Sequence, residues 1–449
     1  MNSLNDAQSA RVAAAHERIK LLNPIVNSVL STFFVTGRGD YELFDFPRLK
    51  GSPVLIKDCI DIAGQPTGHG SRIFDKALPA SVDAEVVRRV KAAGMIIVGK
   101  AHLTEFCFGA TGENAHHGDC LNPWDPSRIT GGSSSGSAAA VAAGMVRFAI
   151  GTDTGGSVRV PAALCGVVGL RPTMGFVSNS GVLDVSTLCD TVGPFAPTVS
   201  DAADLFTAIA GYDPTDPVSI PSNGGDPRDR IGRPLTGMRI GLPRTFFYED
   251  LQEEVATALE EAARTYERLG ARLIEVDLVD PAGLREHRTF NFVLADVADA
   301  RRELSTRYRD SIGPEVLRRI ELGQKVMGQD YAACIRALWR WKAELRAIFA
   351  DAADVILTPT TPVTAPLWED SRDMVETTKL VARLTYDLGA AGIPSLSVPC
   401  GFDRNGLPIG MQLSAAWGRE DLLFQFGDAF QQETDFHRIR PEGFPDLFE

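Results

Sequence analysis

Two glycine-serine turns enclose one helix and one strand near the first third of the chain, and no other feature limits the fold so tightly. Residues 131–144 read GGSSSGSAAAVAAG. The Gly/Ser half reads as a turn, and the alanine half as a closely packed helix that Gly144 ends. A strand follows over Met145 to Thr152, and then a second turn, Asp153-Thr-Gly-Gly-Ser157. Side chains this small let backbone approach backbone, so the segment belongs in the interior of an α/β fold. A Ser/Gly linker does not fit, because a helix begins inside the first cluster and a second Gly-Gly-Ser follows 24 residues later. Neither turn carries the phosphate-binding patterns GxxxxGK[ST] or GxGxxG, which removes the nucleotide reading. Gly132 to Gly136 could be a G-x-S-x-G elbow with Ser134 as nucleophile, but that motif sits on a strand-to-helix turn. The preceding NPWDPSRIT holds two prolines, which argues against a strand there.

The rest of the chain supports one large α/β unit. Residues 5–22 read as a surface helix stopped by Asn23-Pro24. Pro53 to Ile62 reads as a strand with Leu55, Lys57 and Cys59 on one face and Val54, Ile56 and Asp58 on the other. A helix at 83–93 leads to the apolar run Met95–Val98. Pro, Asp, Gly and Arg dominate 213–236, a linker or surface loop. Beyond it, strands are expected at 238–242, 271–276, 355–358, 395–398 and 410–413, and helices at 250–269, 375–388 and 420–433. Residues 282–350 are helical, charged and aromatic, a cap or insertion. The expected architecture is a single large domain over 1–449, with core segments 50–215, 236–280 and 351–435. The 449 residues carry 58 acidic against 45 basic side chains, a balance unsuited to neutralising nucleic-acid phosphates or to lying on an anionic membrane. Seven scattered cysteines without a CxxC pair read as reduced thiols of a cytoplasmic protein. No apolar run reads as a signal peptide or membrane span.

The chemistry centres on the second turn. Consecutive N–H groups around Gly155 and Gly156 can form an anion-binding nest, as an oxyanion hole requires. A serine hydroxyl there needs a base, and Lys57 is a candidate where burial favours its uncharged form. His116-His117 has no further ligand at metal spacing and reads as a polar loop.

These motifs resemble those of the amidase signature family. The resemblance rests on residues 131–144 and on Gly151 to Thr173 (GTDTGGSVRVPAALCGVVGLRPT). It extends to Pro53–Asp58, Gly99–Glu105, Asn122–Trp124, Gly392–Gly401 and Gly406–Gly410, nearly the whole chain apart from 220–350. It implies a mixed, twisted sheet covered on both faces by helices. It also implies a Ser-cisSer-Lys triad: Ser157 as the acylated nucleophile, Ser133 as a relay behind a cis peptide, and Lys57 as the base. The oxyanion hole would be the N–H groups of Thr154, Gly155, Gly156 and Ser157. Cys107, its neighbours Phe106 and Phe108, and Gly132 would line the acyl pocket, although an ordinary core role fits Phe106, Cys107 and Phe108 equally well. Asp153 and Arg159 are expected to brace the nucleophile turn. Ser135 stands where many family members have glycine, a position outside the triad.

The implied activity is hydrolysis of small amides through an acyl-enzyme, extending to carbamates (a urethanase activity) and esters, with aryl or apolar substrates suggested by Phe290, Phe292, Trp339 and Trp341. No metal or cofactor is called for. A monomer or homodimer acting on a small molecule is expected, with neither nucleic acid nor membrane as partner. Two alternatives stand beside it. One is the A subunit of a glutamine-dependent tRNA amidotransferase, although Val381 to Ala391 does not look like that subfamily's acidic glutamine-binding stretch. The other is a non-catalytic scaffold, disfavoured by the joint presence of Lys57, Ser133 and Ser157.

Overall fold

The computed structural model describes residues 6–37, 46–222, 224–281, 283 and 288–445. Eleven strands form one sheet: β1 (Val29–Thr36), β2 (Pro53–Lys57), β3 (Ile96–Ala101), β4 (Phe148–Asp153), β5 (Val168–Arg171), β6 (Thr191–Ala196), β7 (Arg239–Leu242), β8 (Arg272–Glu275), β9 (Val355–Pro359), β10 (Ser395–Phe402) and β11 (Pro408–Ala415). Their spatial order is β1-β3-β2-β4-β6-β5-β10-β11-β9-β7-β8. β3, β2 and β4 run parallel to one another, as do β9, β7 and β8, while the pairs between them are antiparallel. The sheet is therefore mixed, as expected, and joins the first and last thirds of the chain in one body.

Strand periodicity sorts the core into two faces. Val54, Ile56, Ile97, Phe148 and Ile150 belong to one apolar cluster, shared with the helices Glu85–Ala92, Val199–Ile209, Glu253–Arg268 and Glu420–Glu433. Leu55, Ile96, Val98 and Ala149 belong to the other, with the helices Asp6–Val26, Ser135–Ala142 and Arg159–Cys165. The alanines of Ser135–Ala142 are all buried, so that helix lies against the sheet at short range.

Several expectations shift. The first helix runs through Pro24 to Val26; a proline in the final turn sacrifices little, and Asn23 Oδ1 then accepts from the N–H groups of Ser28 (2.7 Å) and Val29 (2.8 Å). The strand from Pro53 ends at Lys57, not Ile62, so Cys59 leaves the face of Leu55 and packs with Val54 and Ile56. The strand expected from Met145 begins at Phe148. The single helix expected over 375–388 is two, Met374–Val381 and Tyr386–Ala391. Between them the Thr385 carbonyl accepts from Arg159 as well as from the Gly389 N–H, and the Leu384 carbonyl accepts from Gln412. Strands β1, β5 and β6 were not expected. The region 282–350 is helical where described, over Arg288–Ala300, Arg302–Arg307, Pro314–Gly323 and Gly328–Ala347. Among the described residues no helix is long and apolar enough to cross a membrane.

Candidate active site

Lys57 closes β2 and is fully buried. Its Nζ donates to Ser133 Oγ and to Thr152 Oγ1, both at 2.8 Å. The Gly132–Ser133 peptide is cis. Ser133 lies in the turn before the Ser135–Ala142 helix, and its carbonyl accepts from the Thr104 N–H at 3.2 Å. Ser134, the nucleophile of the rejected elbow, is buried, donating to the Thr152 carbonyl and accepting from the Thr152 N–H. It therefore pins the first turn to β4. Ser135 Oγ meets His102 Nδ1 at 3.1 Å, away from Lys57.

Ser157 ends the turn that follows β4, and the Ser134 N–H reaches its carbonyl at 3.3 Å. The two glycine-serine turns are thus joined through backbone, with Lys57 beneath the first. No side-chain hydrogen bond links Ser133 to Ser157 among the described residues.

Asp153 and Arg159 are both completely buried. Asp153 receives Arg159 Nη2 at 2.9 Å and Arg171 Nη1 at 3.0 Å. It also accepts from the N–H groups of Gly156 (2.9 Å) and Val158 (3.1 Å). Burial alone would raise its pKa, but the two guanidinium groups hold it well below the usual carboxylate range. Arg159 Nη1 continues to the Thr385 carbonyl and Gln412 Oε1, each at 2.8 Å. Thr385 Oγ1 donates to the Gly155 carbonyl at 2.8 Å. The turn is therefore braced from β5, β11 and the break between two helices.

This bracing corrects one expected role. The Gly156 N–H already donates to Asp153, so it is not available to a substrate oxygen; the expected donors that remain are Thr154, Gly155 and Ser157. The glycines have steric reasons as well. A Cβ on Gly155 would stand 2.5 Å from Tyr386 Cε2, and one on Gly156, at φ +138°, 2.2 Å from Thr385 Oγ1.

Ser157 opens on a pocket of about 400 Å³ that Cys107, Phe108, Gly132, Thr154, Gly155 and Arg319 help to line. Cys107 and Gly132 are where they were expected. Phe106 is not: it is 1 % exposed and packs edge-on against Phe74. Left-handed backbone at Phe106 (φ 54°) and Cys107 (φ 60°) turns the chain there, so Phe108 takes the wall position. Burial would raise the Cys107 thiol, but the adjoining Cys59 thiol and the Lys57 and Arg301 charges lower it.

The aromatic wall expected from the helical region is also replaced. Phe292 and Trp341 are buried, Trp341 donating to the Asp387 carbonyl, and Trp339 is 59 % exposed; the Phe290 side chain lies outside the described residues. The region instead supplies Val293 and Arg319 to the pocket. Arg319 is 3 % exposed, stacks on the Phe108 ring at 4.0 Å and donates to the Phe108 carbonyl at 3.0 Å. Burial lowers its pKa to about 10, which leaves it cationic at neutral pH. Sequence reading missed it, although a signal was present: Val316, Arg319, Ile320 and Gly323 are the buried positions of their helix, an i, i+3, i+4, i+7 stripe with an arginine in it. The Arg171 signal was an arginine closing the apolar run Val167–Leu170. His116 Nε2 pairs with Glu105 Oε1 at 2.9 Å, and among the described residues no group of three His, Cys, Asp or Glu side chains is placed to hold a metal.

Residues 10–424 match the family model described as Amidase. The chain is 40% identical, over 88% of its length and 86% of the relative's, to the A subunit of the glutamyl-tRNA(Gln) amidotransferase of Thermosynechococcus vestitus. Among solved structures it is similar to a chain of an inhibitor-bound vestigial protein complex that reveals the evolutionary origins of an s-triazine catabolic enzyme, with a TM-score of 0.86 and 31% identity over 95% of each chain. It is also similar to the native peptide amidase of Stenotrophomonas maltophilia, with a TM-score of 0.81 and 30% identity over 97% of this chain and 95% of that one.

Proposed function

The chain belongs to the amidase family, and on that premise we propose that it cleaves the C–N bond of a small amide by acyl transfer through Ser157, the acyl part of the substrate carrying a carboxylate. The observation that carries this reading is the convergence of Lys57, Ser133 and the Ser157 turn beside a pocket whose one charged side chain, among the described lining residues, is Arg319. Ser157 Oγ attacks the carbonyl carbon while its proton passes to Ser133 and from Ser133 to Lys57. The N–H groups of Thr154, Gly155 and Ser157 stabilise the tetrahedral oxyanion. The amine leaves with the proton returned along the same path, and water then releases the acid. Carbamates and esters present the same carbonyl with a different leaving group.

A second reading has its own support. The curated relative named above belongs to an amidotransferase, and this favours glutamine as acyl donor, with a further protein chain as companion. Glutamine carries an ammonium as well as a carboxylate, however, and no acidic side chain lines the Ser157 pocket among the described residues; Ala382 and Thr378 stand on that wall. The pocket therefore suits glutaramate, which is glutamine without its ammonium, better than glutamine itself.

Intact-mass analysis after incubation with glutaramate, L-glutamine, an aryl amide, a phenyl carbamate and a 4-nitrophenyl ester tests both. An acyl adduct mapped to Ser157, with higher kcat/KM for glutaramate than for glutamine, is expected. Absence of any adduct on Ser157 would overturn the acyl-transfer reading, and a preference for glutamine would install the amidotransferase reading in its place. Arg319→Met should lower kcat/KM for glutaramate by about tenfold to a hundredfold, since a hydrogen bond to a charged group is worth about 1.5–3 kcal/mol. Valeramide, with a methyl in place of the carboxylate, should change much less; equal losses would show a structural role for Arg319.

A further inference from the structure

A second cavity, of about 680 Å³, adjoins the Ser157 pocket and shares Thr154 and Val185 with it as a common wall. From these two cavities, and resting on the acyl-transfer reading above, we infer that the second is the subsite for the leaving amine and that it selects amines bearing a further positive charge.

Three observations support the placement. The cavity reaches Thr152, whose hydroxyl accepts from Lys57 Nζ at 2.8 Å. Lys57 also bonds Ser133, so the proton that the departing nitrogen must collect is held on this side of the site. The mouth opens at Asp184 and Thr187, both exposed, which gives the amine a way out distinct from the Arg319 wall. The floor holds a polar group that no described residue satisfies: Thr191 is fully buried, and its hydroxyl has no hydrogen-bond partner among them. A buried hydroxyl left unpaired costs about 1–3 kcal/mol, and a ligand amine is a partner it could accept.

The charge follows from the walls. Asp184, Asp190 and Asp216 line the cavity and no lysine or arginine does among the described residues. Arg301 pairs with Asp184 at 3.5 Å from outside the lining, so the negative field rests on the other two. Asp190 accepts from Thr154 Oγ1 and from the N–H groups of Val185 and Ser186. Asp216 accepts from the N–H groups of Asn179 and Val218. Neither carboxylate has a cationic side-chain partner among these bonds. The two cavities thus have opposite polarity about one reacting carbonyl: Arg319 on the acyl side, carboxylates on the amine side.

Four glutaric monoamides with one acyl group and different amines test this: ammonia, propylamine, ethylenediamine and β-alanine. kcat/KM reports the steps up to acylation, in which the amine is still present, whereas breakdown of the common glutaryl adduct does not depend on it. The aminoethyl amide should exceed the carboxyethyl amide by about tenfold or more, with the propyl amide between. Thr187→Lys, a change at an exposed position, should cut that ratio about fivefold or more, and Thr191→Val should weaken the aminoethyl amide more than the propyl amide. Adducts that form at equal rates from the charged amides, or a ratio that Thr187→Lys leaves intact, would overturn the subsite. If no amide of any acyl group acylates Ser157, the underlying acyl-transfer reading falls and the subsite with it.

Discussion

Replacing Lys57 by alanine or methionine is expected to lower amide turnover by about 10²–10⁴, the range that general acid–base catalysis supplies, while leaving hydrolysis of a 4-nitrophenyl ester much less affected. The difference follows from the leaving group. An amine cannot depart as its anion and must take back a proton, which in the proposed mechanism comes along the Lys57–Ser133 path, the 2.8 Å hydrogen bond at the end of β2. A nitrophenolate needs none. Methionine keeps most of the volume of a fully buried side chain, so a variant that melts near wild type and still loses amide turnover separates chemistry from packing. Steady-state rates for matched amide and ester give the answer: equal losses on both would place Lys57 in the structure of the turn, and full retention of amide turnover would remove it from the relay.

Lys57 and Ser157 stood out as candidates from their own motifs, a strand and a glycine turn out of a strand, whereas Ser133 entered through the family resemblance. Small residues and glycines announce close backbone approach without reference to the rest of the chain. What surrounds the triad was less legible, because its partners come from far along the sequence. Gln412 and Thr385 reach Arg159 from 253 and 226 residues away, and no local pattern in TYDLG or MQLSA signals that bond. The break in the helix expected over 375–388 is likewise marked by a distant partner, since Gln412 takes the Leu384 carbonyl there. Phe106 leaves the pocket wall that Cys107 and Phe108 line because two consecutive positive φ values, at Phe106 and Cys107, re-aim the chain there. The aromatic content of 282–350 misled because Phe292 and Trp341 satisfy the packing of the helices that carry them, whereas the residue that reaches the pocket is an arginine. The sheet was not legible at the edge strand β1, which is only partly buried, nor at β5 and β6, whose glycines and proline interrupt the apolar run although every residue is buried.

The second large effect concerns stability. Asp153→Asn is expected to destabilise the protein by about 3–5 kcal/mol, the cost of breaking a buried ion pair and leaving its partner uncompensated. Two partners are left here, Arg159 and Arg171, both fully buried and both paired with Asp153 at 2.9–3.0 Å. Asparagine preserves size and one acceptor, so the loss reports charge. The sign of the pH dependence is fixed by the same group. Its folded-state pKa is depressed, and an unfolded aspartate titrates near about 3.9. Its contribution is therefore fully present above about pH 4 and is lost as pH falls below that value toward the folded pKa. Denaturant midpoints of wild type and Asp153→Asn should differ most at neutral pH and approach one another as the solution is made more acidic. A constant difference at all pH values would mean that the asparagine disturbs packing, and no difference at neutral pH would mean that the two arginines find other partners in the Thr385, Gln412, Cys189 and Gly389 acceptors they already contact. Activity should fall together with stability, because Asp153 also holds the Gly156 and Val158 N–H groups and with them the orientation of the remaining oxyanion donors around Ser157.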